Sequence, residues 1–190
     1  MAATDSVLIG APERSDDPNV VGYARRATAN AADLPTSTTA ALPASAKDLG
    51  FVSEDGLAIS TERDVEYIRD WNLDQVRALL TEHSATLTFS LISWTVESLK
   101  AWAGDDNVTE TATEFIVRIN SNMARPSAWI FNLKDNGVKR RVVVPNAVVA
   151  SQGELVLRKG EATNLEIELS PLVDEYGEKI YIYTAKPSQP

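Results

Sequence analysis

The clearest pattern in the chain lies at residues 84–92, where Ala85, Leu87, Phe89 and Leu91 interleave with Ser84, Thr86, Thr88 and Ser90. A period of two sends the first set to one face of a strand and the second to the other, so a strand with one buried face is predicted. Further strands are predicted at residues 49–53, 57–60, 114–119, 127–133, 138–144, 164–169 and 179–184, where β-branched and aromatic residues stand between turn formers. Glu54-Asp55-Gly56 reads as a hairpin turn joining the first two, because Asp-Gly supplies the positive φ of a tight turn. Asp135-Asn136-Gly137 and Glu175-Tyr176-Gly177 read as later turns. Short apolar runs at residues 6–10 and 20–23 are weaker strand candidates.

One helix is predicted, at about residues 94–103. Ser93 or Thr95 can cap it, Glu97 meets the positive end of the helix dipole, and Gly104 can supply a left-handed C-cap. Val96, Leu99 and Ala103 share one face with Trp102 beside it, a stripe suited to packing on a sheet.

Residues 62–81 fit two periods. Val65, Ile68, Val76 and Leu79 match a helical stripe, whereas Val65, Tyr67, Arg69 and Trp71 alternate as in a strand. Strands flank the segment on both sides, so it reads as an excursion that leaves one strand and returns as another at residues 75–80. Residues 28–46, rich in Ala, Thr and Ser with Pro35 and Pro43, carry only Leu34 and Leu42 as large apolar side chains and read as an arm that adds little to a core. The expected division is amino-terminal strands and arm at 1–46, a β domain at 47–186 and a tail at 187–190. The expected fold is mainly β, a sandwich or barrel of two packed antiparallel sheets with one flanking helix.

Composition adds exclusions. With 190 residues, 44% hydrophobic and 24% charged, the chain suits one ordinary core. It has no cysteine, which excludes disulfide scaffolds, zinc ribbons, thiol catalysis and iron–sulfur clusters. A net charge of -9 opposes adhesion to nucleic acid or anionic membrane. No window approaches the roughly 18 apolar residues of a membrane span, and residues 1–14 lack the basic start of a secretory signal, so a soluble chain without membrane partners is expected.

The chemistry of enzymes is missing its parts. His83 is the single histidine, placed between Glu82 and Ser84 at an expected turn, and reads as a solvated loop residue. No phosphate-binding glycine motif and no GxSxG elbow is present, and the Asn107-Val108-Thr109 sequon reads as a chance match. Glu54 with Asp55, Asp105 with Asp106, and Asp174 with Glu175 sit beside turn glycines and read as solvated acidic turns. Lys139-Arg140-Arg141 with Lys134 reads as a solvated hairpin edge that discourages aggregation. Trp94 and Trp102 read as helix packing, and Trp129 as part of a strand. No catalytic, cofactor-binding or metal-binding residue is expected.

Trp71 differs from these, because it lies in the most acidic part of the chain. Between residues 53 and 76, Glu54, Asp55, Glu62, Asp64, Glu66, Asp70 and Asp74 stand against Arg63 and Arg69, an excess of five negative charges. Val65, Tyr67, Ile68 and Trp71 are too many large apolar groups for a linker. Such a mixture suits a surface that a partner covers.

The ordered series Leu49-Gly50-Phe51-Val52-Ser53-Glu54-Asp55-Gly56-Leu57, Asp70-Trp71-Asn72, Val76-Arg77, Thr86-Leu87-Thr88-Phe89-Ser90-Leu91 and Leu99-Lys100-Ala101-Trp102-Ala103-Gly104 resembles the major tail tube proteins of long-tailed, non-contractile bacteriophages, especially those of actinobacteria. Residues 34–43 and the Asp174-Glu175-Tyr176-Gly177 turn extend the resemblance over most of the chain, while Glu62-Arg63-Asp64 and Arg25-Arg26 depart from it. The resemblance implies a structural protein without cofactors, made in the host cytoplasm and built into the virion. It implies hexameric rings stacked into a tube through which DNA passes, with tape measure and tail terminator proteins as further partners. It also implies that a loop reaching the neighbouring ring falls at residues 61–75, with Glu62, Asp64, Val65, Glu66, Tyr67, Ile68, Asp70, Trp71 and Asp74 as its contact residues. The rival expectation is a monomeric β-sandwich module that binds sugar or peptide through Trp71 and Tyr67.

Overall fold

A computed structural model describes residues 24–27, 33–135 and 138–186, and among these alternation and turn chemistry produce ten strands and one α-helix. The strands are β1 (Ala24–Ala27), β2 (Lys47–Asp48), β3 (Val52–Arg69), β4 (Gln75–Leu91), β5 (Val108–Glu110), β6 (Phe115–Val117), β7 (Ser127–Asp135), β8 (Val138–Gln152), β9 (Leu165–Pro171) and β10 (Tyr181–Thr184), with α1 at Val96–Ala103. The strand candidates at 6–10 and 20–23, residues 136 and 137 of one predicted turn, and the 187–190 tail lie outside the described residues.

Eight strands form one antiparallel sheet in the order β2-β1-β7-β8-β9-β4-β3, with β10 also on β8, while β5 and β6 form a two-stranded sheet. Arg140 to Val143 of β8 pair with β7 and with β10 at once, so β10 lies on the edge of β8 opposite β7. Phe89 of β4 meets Phe131 of β7 edge-on at 5.0 Å and Trp129 at 5.8 Å. Three strand intervals in a flat sheet would hold β4 and β7 roughly 14 Å apart. The sheet therefore curls until the two faces meet across the core, which is the sandwich arrangement.

That core joins Leu87, Phe89 and Leu91 of β4, Trp129 and Phe131 of β7, Val142 and Val144 of β8, and Leu165, Ile167 and Leu169 of β9. Leu99, Ala101, Trp102 and Ala103 of α1 close it, with Val96 packed at its margin. Thr95 caps the helix by accepting the Ser98 N–H while the Ser98 hydroxyl accepts the Thr95 N–H. Trp94 precedes the helix and is 44% exposed, whereas Trp102 is buried in the core. Gly104 has φ 97° and ψ 146°, outside the left-handed helical well, yet its N–H still reaches Lys100 O at 2.9 Å.

Three local readings are corrected by long-range pairing. Residues 54–56 do not close a hairpin: Val52 faces Leu91 and Leu57 faces Phe89, so β3 runs on past a bulge in which Gly56 takes φ 70°. His83 is not at a turn but inside β4, exposed and opposite Arg63. Arg141 is not part of a solvated edge. It is buried, donating from Nε to Asn132 Oδ1 and from Nη1 to Ser37 O and Ala40 O. Those bonds fasten the described part of the arm, residues 33–46. Leu34, with Leu42 and Ala46 beside it, forms a second cluster with Ala27, Ala128, Ile130 and Val143, so the arm contributes more to packing than its composition suggested.

Candidate functional site

The hairpin of β3 and β4 leaves the body of the protein. Residues 87–91 of β4 pair with β9, but from Ala85 outward the two strands bond to each other and, among the described residues, to no further strand. The nine residues from Thr61 to Arg69 carry the hairpin roughly 30 Å.

Its tip is built by Asp70, whose Oδ1 accepts the backbone N–H of Asn72 and of Asp74, each at 2.9 Å. Leu73 closes the turn with φ 68°, an uncommon conformation for a residue with a side chain. Trp71 extends from this turn with 100% exposure.

Two bulges decide which residues share a face. Asp64 faces Glu82 and Val65 faces Leu80, so Thr81 is the extra residue, and its hydroxyl donates to Asp64 O at 3.1 Å. A second irregularity makes Val76 the extra residue near the tip. With this register, Val65 opposite Leu80 and Tyr67 opposite Ala78 form an apolar face that continues the core face of Leu87. The other face carries Glu62, Asp64, Glu66 and Glu82, together with Ile68 opposite Arg77. The segment at 61–75 is thus strand and turn. Its candidate residues separate into acids on one side, Val65 and Tyr67 on the other, and Trp71 at the tip. Ile68 parts from Val65 and Tyr67. Asp70 organises the turn, and Asp74 bonds through its backbone to Asp70.

Leu73, Val76 and Leu80 are further exposed apolar residues of the same hairpin, outside the contact residues that the resemblance implied. What exposes them is that, among the described residues, β4 pairs there with β3 alone, since its pairing with β9 is confined to Leu87–Leu91, which only the pairing pattern makes visible. Among the described residues no group of three or more His, Asp or Glu side chains is placed to hold a metal. No helix among them is long and apolar enough to cross a membrane.

What decides the identification is the match of residues 20–187 to the phage tail tube protein family. The chain belongs to that family. It is a structural component of a bacteriophage virion, from a family that assembles a tube and is not enzymatic. Among solved structures, this tail tube protein is similar to that described as "Cryo-EM structure of the anti-feeding prophage cap (AFP tube terminating cap)", at 13% identity and a TM-score of 0.47, with 97% of this chain and 100% of that chain covered. No curated protein matches it.

The tail tube subunit also has one ordered acidic turn at the far end of the chain. Asp174 Oδ1 accepts the N–H of Tyr176 and of Glu178, and Oδ2 accepts the Tyr181 hydroxyl at 2.7 Å. Burial works against the charge of Asp174, but the Tyr181 hydroxyl and the backbone donors outweigh it and lower its pKa. The same bond pushes the Tyr181 phenol up to about 12. Asp105 is likewise no solvated turn residue, because it holds Arg26.

Proposed function

We propose that copies of this chain form hexameric rings that stack into a hollow tube conducting DNA, with the hairpin at residues 61–75 as the element that reaches the neighbouring ring. Tape measure and tail terminator proteins are the further partners in this reading. The observation that carries it is the unpartnered hairpin beyond Ala85 with a fully exposed tryptophan at its tip. An isolated two-stranded hairpin is marginal in water, so a covering partner is what would hold it in place. The net charge of -9 suits a conduit that DNA must traverse without sticking, and the acids on the hairpin are part of it.

Negative-stain microscopy of the purified chain tests the proposal: rings or tubes are expected at high concentration. Replacing Tyr67 and Trp71 together by Ala should shorten or abolish the tubes while the melting curve of the subunit stays unchanged. A chain that stays monomeric under all conditions would instead support a ligand-binding module.

A further inference from the structure

The register of the β3–β4 hairpin also sorts its charges. Glu62, Asp64, Glu66 and Glu82 share one face, where Arg77 near the tip is the single base. Arg63 opposite His83 and Arg69 opposite Gln75 stand on the other face with Val65, Tyr67 and Leu80, and from Thr61 to Arg69 that face carries no carboxylate. Neighbouring positions of a strand point to opposite sides, so neither set can neutralise the other within one copy. All of these charged residues are exposed, and none of the four carboxylates and neither Arg63 nor Arg69 has an ion pair among the described residues. Asp64 faces Glu82 and Arg63 faces His83, so each of these adjacent rungs lacks an opposite charge. Asp70 and Asp74 belong to neither face, because they form the turn, where Asp70 Oδ1 is occupied by two backbone N–H groups.

We propose that this hairpin packs face to face with the hairpin of a second copy of the chain, the carboxylate face of one lying on the Arg63 and Arg69 face of the next. The inference rests on the reading of the hairpin as an assembly element and names what covers its two sides. Charge complementarity selects the occupant. One face holds four carboxylates against a single arginine, the other holds two arginines and no carboxylate, and guanidinium forms paired bonds with carboxylates. Sheets packed face to face lie about 10 Å apart, a gap that arginine and glutamate side chains span when they extend toward each other. Apolar groups accompany the charges, since Val65, Tyr67 and Leu80 of one copy come to lie on Ile68 and Leu79 of the next. The two faces are different surfaces of one chain, which makes the contact head-to-tail. Such a contact repeats from copy to copy and closes into a ring when the rotation between copies closes.

The test uses charge reversal in the full chain, with assembly read by sedimentation and negative stain at low salt. Arg63→Glu with Arg69→Glu makes both faces acidic, and Asp64→Lys with Glu66→Lys and Glu82→Lys makes both faces basic. Each variant alone should lower the sedimenting assemblies at least tenfold. An equimolar mixture of the two should restore them, because each copy then offers the face that its neighbour lacks. A variant that assembles alone like the unchanged protein, or a mixture that stays dispersed, overturns the proposal. Melting curves like that of the unchanged protein confirm folding; a reversal that fails to fold is replaced by the neutral set, Arg63→Gln with Arg69→Gln or Asp64→Asn with Glu66→Gln and Glu82→Gln, which should also lower assembly. Replacing residues 66–79 by an Asn-Gly turn separates the two levels of the argument. If that shortening blocks assembly but neither reversal does, the two faces are not the contact, whereas a shortened chain that assembles normally overturns the assembly role of the hairpin itself.

Discussion

Arg26 of β1 grips both carboxylate oxygens of Asp105, Nη1 to Oδ1 at 2.9 Å and Nη2 to Oδ2 at 2.6 Å, and so ties the first strand to the segment that follows α1. Its Nε donates to Ser127 Oγ at 3.0 Å, and the guanidinium lies over the Trp129 ring with Cζ 5.9 Å from the centroid. The arginine is 8% exposed, so every one of these bonds replaces water that it has given up.

Arg26→Ala is therefore expected to destabilise the subunit by about 2 kcal/mol, because Ser127 and Asp105 lose their donor in a half-buried setting. Asp105→Ala should cost no less, because it leaves the buried Arg26 guanidinium without its countercharge, whereas the 40% exposed Asp105 can be rehydrated when Arg26 is removed. A double-mutant cycle in urea should give a coupling energy of about 1 kcal/mol. Strictly additive losses would contradict the clamp.

Leu99 is 1% exposed in the core beneath α1. Leu99→Ala should cost about 3 kcal/mol in thermal or chemical unfolding, the usual range for a cavity of this kind. Leu99→Asp buries a charge without a partner and should abolish soluble folding. A Leu99→Asp chain that melts like the unchanged protein would mean that the helix is not packed as described.

Asp64 and Glu82 face each other across the hairpin, and like charges directly opposite oppose pairing. Glu82→Gln should stabilise the free hairpin by about 0.5 kcal/mol, visible as roughly twofold slower hydrogen exchange of amides at residues 62–84. Added salt should shrink the difference between the two proteins. Faster exchange in the variant would rule out repulsion as the controlling effect.

The Asp174–Tyr181 bond gives a titration with defined signs. The raised Tyr181 pKa means that its contribution is fully present below 10.0 and is lost as pH rises through about 12. The lowered Asp174 pKa means that its contribution is present above 3.8 and is lost as pH falls through the lowered value. Ultraviolet titration of the phenolate should find one tyrosine near 12, and Asp174→Asn should bring it back toward 10. Near neutral pH the turn should be indifferent to acidity.

Local features were legible in the sequence. The alternation of Ala85, Leu87, Phe89 and Leu91 marks a buried strand face because side chains alternate with period two in any strand. Thr95, Glu97 and Gly104 mark the helix ends because capping depends on residues within one turn. At residues 62–81 the helical and strand periods fitted equally and only the flanking strands favoured an excursion, while the structure continues β3 as strand to Arg69.

What the sequence by itself determined is thus the location of β4, β6, β7, β8, β9 and β10, the helix α1 and the acidic, aromatic character of the hairpin, since each follows from neighbours a few residues apart, whereas β1, β2, β5 and the continuity of β3 did not show in it. Tertiary structure alone decided that β3 passes through Gly56 without turning, that Arg141 is buried under the arm, that Arg26 finds Asp105, and that Phe89 meets Phe131. Each of these joins residues whose separation along the chain carries no periodic signal. The free energy that selects them comes from burying a whole sheet face at once, so the register of distant strands, rather than any local preference, settles which side chains meet.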